Sequence, residues 1–112
     1  MAGKFKIVLT TRAEIELDNI LKYHLSNYGE GAARRIYEAI NQKFEAIQFM
    51  PSAYTLYAPI NREFKRQYRY VIAKKSYRLL YTIIVEKSII RVVTIRHVKS
   101  DPGYLINTIE EE

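Results

Sequence analysis

Cationic and aromatic side chains recur through the second half of the chain in a pattern that could hold an anion. Arg69, Lys74, Lys75, Arg78, Arg91, Arg96 and Lys99 are interleaved with Tyr70, Tyr77, Tyr81 and His97. Arginine meets a phosphate or carboxylate through parallel N–H donors, whereas lysine meets it as a point charge. Histidine adds a group that exchanges protons near neutral pH. Such a set suits a polyphosphate backbone or an acidic peptide. The structural alternatives are plain. His97 could close a strand and bond to the Asp101 turn, Arg78 could serve an ion pair or a partner contact, and Tyr77 and Tyr81 could belong to the core. His24 lies on an apolar helix stripe and reads as a packed histidine. No second histidine or carboxylate sits beside it at ligand spacing, so neither a metal nor another cofactor is expected. Glu14, Glu16 and Asp18 read as the acidic start of a helix, favoured there by the macrodipole.

Charge sharpens this picture. The 112 residues carry a formal net charge of +6, unevenly spread. Between Arg62 and Lys99 there are 11 Lys/Arg against 2 acids, while the rest of the chain holds 7 bases and 10 acids. A basic segment beside a mildly acidic one is an electrostatic footprint for nucleic acid or an acidic protein. The hydrophobic fraction of 48% supports a single core. No apolar run approaches the roughly 18–20 residues that span a bilayer, and the N-terminus lacks the apolar region of a signal peptide. With 0 Cys there is neither a disulfide framework nor thiolate chemistry. A cytoplasmic protein with no membrane partner is expected.

The elements that must position these residues follow from periodicity. Phe5, Ile7 and Leu9 alternate, predicting a first strand over 4–9. Thr11 and Glu14 have the spacing of a capping box. Leu17, Ile20, Leu21, His24 and Tyr28 then form a helical stripe that stops at Gly29, and Asp18 precedes Lys22 by four. Ala33, Ile36, Tyr37, Ile40, Phe44 and Ile47 predict a second helix, ended by Pro51. So short a connection makes the two helices an antiparallel hairpin. Residues 52–67 lack a period and read as a loop, with a short turn of strand near Leu56. Three strands follow, separated by turns at Lys74-Lys75-Ser76 and Glu86-Lys87-Ser88, the last running from Ile89 to His97. Strict alternation along Tyr77, Leu79 and Tyr81 turns Arg78 to the opposite face. The predicted fold class is α+β: strand–helix–helix–three strands, with the helical hairpin on one face of a mainly antiparallel four-stranded sheet. The other face would be free to bind. One domain is expected over 1–112, with its core at about 4–102 and a tail over 103–112.

Several of these features together carry a family resemblance. The element order, the Gly29…Ala33 entry into the second helix and Pro51 after it belong to it. So do Tyr77-Arg78-Leu79-Leu80-Tyr81 and Ile95-Arg96-His97-Val98-Lys99-Ser100-Asp101-Pro102. The set resembles the RelE/ParE superfamily of bacterial toxins, over roughly Phe5 to Pro102. The resemblance implies the toxin of a type II toxin–antitoxin (plasmid stabilisation) system, with a cognate antitoxin as partner. RelE-like members cut mRNA on the ribosome; ParE-like members poison DNA gyrase. Metal-free RNA cleavage needs a base for the 2′-hydroxyl, cations for the phosphorane and an acid for the leaving oxygen. If the chain is RelE-like, an endoribonuclease, Arg78, His97 and Lys99 are its catalytic candidates, with Tyr81 or Tyr104 to stack on a base or donate a proton. Arg69, Lys74, Lys75, Tyr81, Arg91, Arg96 and Tyr104 are the binding candidates under either mechanism. Val98 stands where a RelE-like catalytic arginine is expected. The ending His97-Val98-Lys99-Ser100-Asp101-Pro102 is similar to the ParE type, with Lys99 for the usual Arg, so the ParE-like reading is favoured. A basic nucleic-acid-binding domain without toxicity is the further alternative.

Overall fold

The computed structural model describes residues 5–57 and 67–100. Strand β1 (Lys6–Leu9) leads into helices α1 (Thr11–Tyr28) and α2 (Glu30–Phe49). A 3-10 turn, Pro51–Ala53, precedes strand β2 (Thr55–Leu56). Strands β3 (Tyr68–Ala73), β4 (Tyr77–Ile84) and β5 (Ile89–His97) complete the described chain. The sheet has five strands rather than four, because β2 adds an edge; the order is β1-β5-β4-β3-β2. β1 runs parallel to β5 and every other pair is antiparallel.

The helices form where the stripes predict, with two adjustments. The N-cap of α1 is Thr10, one residue earlier than the capping-box spacing of Thr11 and Glu14 implies. Its Oγ1 accepts the Ala13 N–H at 3.1 Å and donates to the Val93 carbonyl at 3.1 Å. One hydroxyl thus caps the helix and anchors its start to β5. The apolar stripes are also narrower than the periodicity indicates. Ile36, Ile40 and Ile47 are buried, but Tyr37, a step of about 100° around the helix from Ile36, is 46% exposed. Tyr28 is likewise exposed, at the last turn of α1. Gly29 serves both helices: its N–H donates to the Leu25 carbonyl, and its own carbonyl accepts from the Ala33 N–H. Its φ of 91° is accessible to glycine and strained for any other residue.

The hairpin covers one sheet face. Ala13, Ile36, Ile40 and Ile47 pack on Val71, Ala73, Tyr77, Leu79, Tyr81, Ile90, Val92 and Ile95. The opposite face is only partly open. A second buried cluster, Tyr57, Tyr68, Leu80 and Val93 with Tyr70 against it, fills its middle.

One irregularity governs which residues face where. Leu80 is paired with Thr94 and Tyr81 with Val92, so Val93 is an extra residue in β5. Such a bulge shifts the side-chain alternation by one. Before it, Ile90 and Val92 point to the helices; after it, Ile95 does.

Candidate functional site

The β3–β4 connection is a tight turn, closed by the Ser76 N–H on the Ala73 carbonyl at 3.0 Å. Its two central residues, Lys74 and Lys75, have φ of 56° and 60°. Positive φ at both positions is the type I′ pattern that glycine and asparagine favour, so the lysines hold a costly conformation. The Val98 N–H donates to the Ser76 carbonyl at 2.8 Å and so joins the end of β5 to this turn. Lys74, Lys75, His97 and Lys99 are therefore exposed together at one end of the sheet.

His97 is Cα-paired with Tyr77, and their rings meet edge to face at 5.7 Å. The Tyr77 hydroxyl is hydrogen-bonded to His24 Nε2 at 2.9 Å, which makes His24 the packed histidine its stripe predicts. Burial, and secondarily the nearby Tyr23, pushes the Tyr77 pKa above its ordinary value, so the hydroxyl keeps its proton. His97 Nδ1 accepts the Lys99 N–H at 3.1 Å. In the neutral ring that engagement leaves the proton on Nε2, and the basic nitrogen is already occupied.

Arg78 points the other way. It is Cα-paired with Ile72 and Arg96, on the face opposite the helices. Its guanidinium carbon lies 5.1 Å from the Tyr57 ring centroid and 5.5 Å from that of Tyr70. Beside it, Arg96 donates from Nε to Ser100 Oγ at 3.2 Å, and its Nη1 is 3.8 Å from Glu16 Oε2. Arg91 lies further along the same face, paired with Thr82.

Two predicted binding residues belong to the packed layer. Tyr81 is 0% exposed, and its hydroxyl donates to the Pro51 carbonyl at 2.7 Å. Burial holds its pKa far above the ordinary tyrosine value, partly opposed by Arg69. Its ring is inside the core and offers no surface to a base. Arg69 faces the helix side, where its Nη1 donates to the Tyr54 carbonyl at 2.6 Å. Tyr104 and the Asp101 turn lie outside the described residues.

Three important residues were not singled out by periodicity as sheet contacts. Glu16 reads as part of an acidic helix start, yet its Oε1 accepts from Thr94 Oγ1 at 2.6 Å and from the Ile95 N–H at 3.0 Å. β1 pairs with β5 only as far as Val92, and Glu16 satisfies the strand edge beyond it. Tyr57 and Tyr70 frame Arg78. Alternation along Tyr68, Tyr70 and Ile72 could have indicated Tyr70, whereas Tyr57 sits in a stretch without a period.

Known proteins of similar sequence and shape bear on this arrangement. No curated protein sequence matches the chain. The chromosomal ParDE toxin–antitoxin system of P. aeruginosa contains a chain of similar fold, with a TM-score of 0.68 at 14% identity, covering 86% of this chain and 98% of that one. A mutant of the E. coli toxin RelE in the free state has a TM-score of 0.64 at 17% identity, with coverages of 97% and 98%. The toxin–antitoxin complex RelBE2 of Mycobacterium tuberculosis has a TM-score of 0.52 at 21% identity, with coverages of 85% and 99%. At these identities the likeness is one of fold. The family model described as ParE toxin of type II toxin-antitoxin system, parDE, matches residues 7–102. The match takes in both helices and the whole of β2 to β5, so the chain belongs to the ParE toxin family of type II toxin–antitoxin systems.

Proposed function

We propose that this toxin arrests growth by binding a protein target, DNA gyrase, in the cytoplasm, and that it does not cut RNA. One observation carries the reading: His97 and Arg78 lie on opposite faces of the sheet. A metal-free nuclease needs its base and its phosphate-holding cations around one phosphorus atom. Here the candidate base has its basic nitrogen engaged by the Lys99 amide, and the candidate arginine is directed away from it, which leaves, among the described residues, lysine point charges and no guanidinium fork beside it. The lysine cluster of Lys74, Lys75 and Lys99, with His97 beside it, is well suited to an acidic protein surface instead. Membership of the ParE family supports the same target class.

The antitoxin is the second partner, as in the ParDE and RelBE2 assemblies. The test is a pair of assays on the purified toxin. Gyrase supercoiling is expected to be inhibited, and inhibition is expected to weaken in Lys74→Ala/Lys75→Ala. Messenger RNA on programmed ribosomes is expected to stay intact. Cleavage of that message with supercoiling unaffected would replace this reading with the RelE-like one. Tight, salt-sensitive binding to naked nucleic acid without growth arrest would replace both.

A further inference from the structure

Among the described residues Arg78 is held by rings and by no anion. Its guanidinium rests against Tyr57 and Tyr70, whose rings meet edge to face at 5.6 Å. Its Nε is shielded from solvent and has no hydrogen-bond partner among the described residues. Among the described residues no carboxylate pairs with it. Two tyrosines orient the guanidinium by cation–π contact but do not satisfy its N–H donors. A buried donor left unmade is a standing cost that a bound acceptor recovers.

We propose that Arg78, framed by Tyr57 and Tyr70, is the docking site for a carboxylate side chain of the antitoxin, carried on an otherwise apolar segment. The surroundings select this occupant over a nucleic-acid backbone. Leu80 and Val93 floor the site, and Ile72 at its rim is 37% exposed. The adjacent Arg96 is already engaged by Glu16 and Ser100. A backbone would require a run of cations to track successive phosphates. Arg78, set among aromatic and aliphatic side chains with Arg96 engaged elsewhere and Arg91 further along the face, has instead the composition of a protein–protein anchor. The fork of the guanidinium matches one carboxylate through two parallel bonds. The inference rests on the toxin being held by an antitoxin and is independent of the toxin's cellular target.

The Arg78 Nε–H signal of nitrogen-15-labelled toxin provides the readout, since burial slows its exchange with water. Its assignment follows from its loss in Arg78→Lys, whose remaining spectrum reports an intact fold. The probes are the peptide acetyl-Ser-Leu-Ala-Leu-Glu-Ala-Leu-Ser-amide, its counterpart with Gln for Glu, and a short DNA duplex. The Glu peptide is expected to move the Nε–H signal saturably, with the Gln peptide at least about tenfold weaker, equivalent to about 1.4 kcal/mol. Arg78→Lys retains the charge without the fork and is expected to lose the Glu peptide's advantage. The duplex is expected to perturb Lys74, Lys75 and Lys99 and leave Arg78 in place. Equal responses to the two peptides, or none, would overturn the proposal; saturation of Arg78 by the duplex would make it a nucleic-acid site. None of these outcomes alters the gyrase assay, so the two readings fail separately.

Discussion

Replacing Lys74-Lys75 by Asn-Gly should make this protein more stable and less potent at once. Both lysines occupy the left-handed region, with φ of 56° and 60°. That conformation costs an L-residue with a full side chain about 1–2 kcal/mol per position. Asparagine tolerates it and glycine adopts it freely, although glycine returns about 0.5–1 kcal/mol through the greater entropy of the unfolded chain. The net expectation is about 1–2 kcal/mol of added stability. For a domain near this size that corresponds to a rise of about 5–10 °C in Tm. The turn's closing bond, from the Ser76 N–H to the Ala73 carbonyl, is made by backbone and survives the change. Urea denaturation gives the free energy, and supercoiling inhibition gives the potency. Backbone strain held for the sake of exposed charge predicts opposite movements of the two quantities. An unchanged or lowered urea midpoint would refute the strain argument, because the lysine side chains would then be contributing contacts that outweigh their conformation. Full potency at higher stability would refute the assignment of these charges to the target.

Three further outcomes follow from the geometry. Thr10→Ala removes both a helix cap and a bond to Val93 and should cost about 2 kcal/mol, whereas Thr11→Ala should stay within about 0.5 kcal/mol, as paired denaturation curves would reveal. Glu16→Ala strands the Thr94 hydroxyl and the Ile95 amide and should cost about 3 kcal/mol, with faster hydrogen exchange at Ile95; unchanged exchange there would contradict the edge role of Glu16. Tyr81 has a folded pKa raised above its unfolded value of 10.0, so its contribution is complete below that pH. It is lost as pH rises, because the unfolded chain then releases a proton that the folded chain retains. Stability above about pH 10 should therefore fall by up to about 1.4 kcal/mol per unit from this group, a slope that Tyr81→Phe removes in denaturation curves measured across that range.

How much of this was legible in the sequence depended on whether the signal was local. Both helices, the Gly29 junction, the turns at Lys74-Lys75 and Glu86-Lys87-Ser88 and the Ile89–His97 strand all follow from spacing alone. They depend on apolar period and backbone permissiveness, which short windows contain. The cap sits one residue before the position its spacing indicates because two threonines stand side by side, and only the contact with Val93 separates their roles. Glu16 was hidden because its partners, Thr94 and Ile95, lie 78 and 79 positions away. Tyr81 suits both a core position and a binding ring, since an alternating strand does not say which face is covered. Only the seating of Ile40 and Ile47 over the sheet decides that.

The bulge at Val93 is the step from fold to function that no local pattern contains. Unbroken alternation from Ile90 and Val92 would send Thr94 and Arg96 toward the helices and Ile95 and His97 to the opposite face. His97 would then share a face with Arg78, as a nuclease site requires. The extra residue reverses this. Ile95 completes the core, Arg96 moves beside Arg78, and His97 turns to Tyr77 on the helix side. Just past the bulge, Glu16 accepts from Thr94 Oγ1 and the Ile95 amide, which stabilises the edge that β1 leaves behind. Core packing thus favours the bulged register. The price is that His97 and Arg78 are parted, and two separate surfaces remain: a lysine-rich end that holds His97, and an aromatic-framed arginine. Two surfaces suit the proposed reading, in which the chain binds two protein partners; the alternative, RNA cleavage by His97 and Arg78 together, requires both at one phosphorus atom.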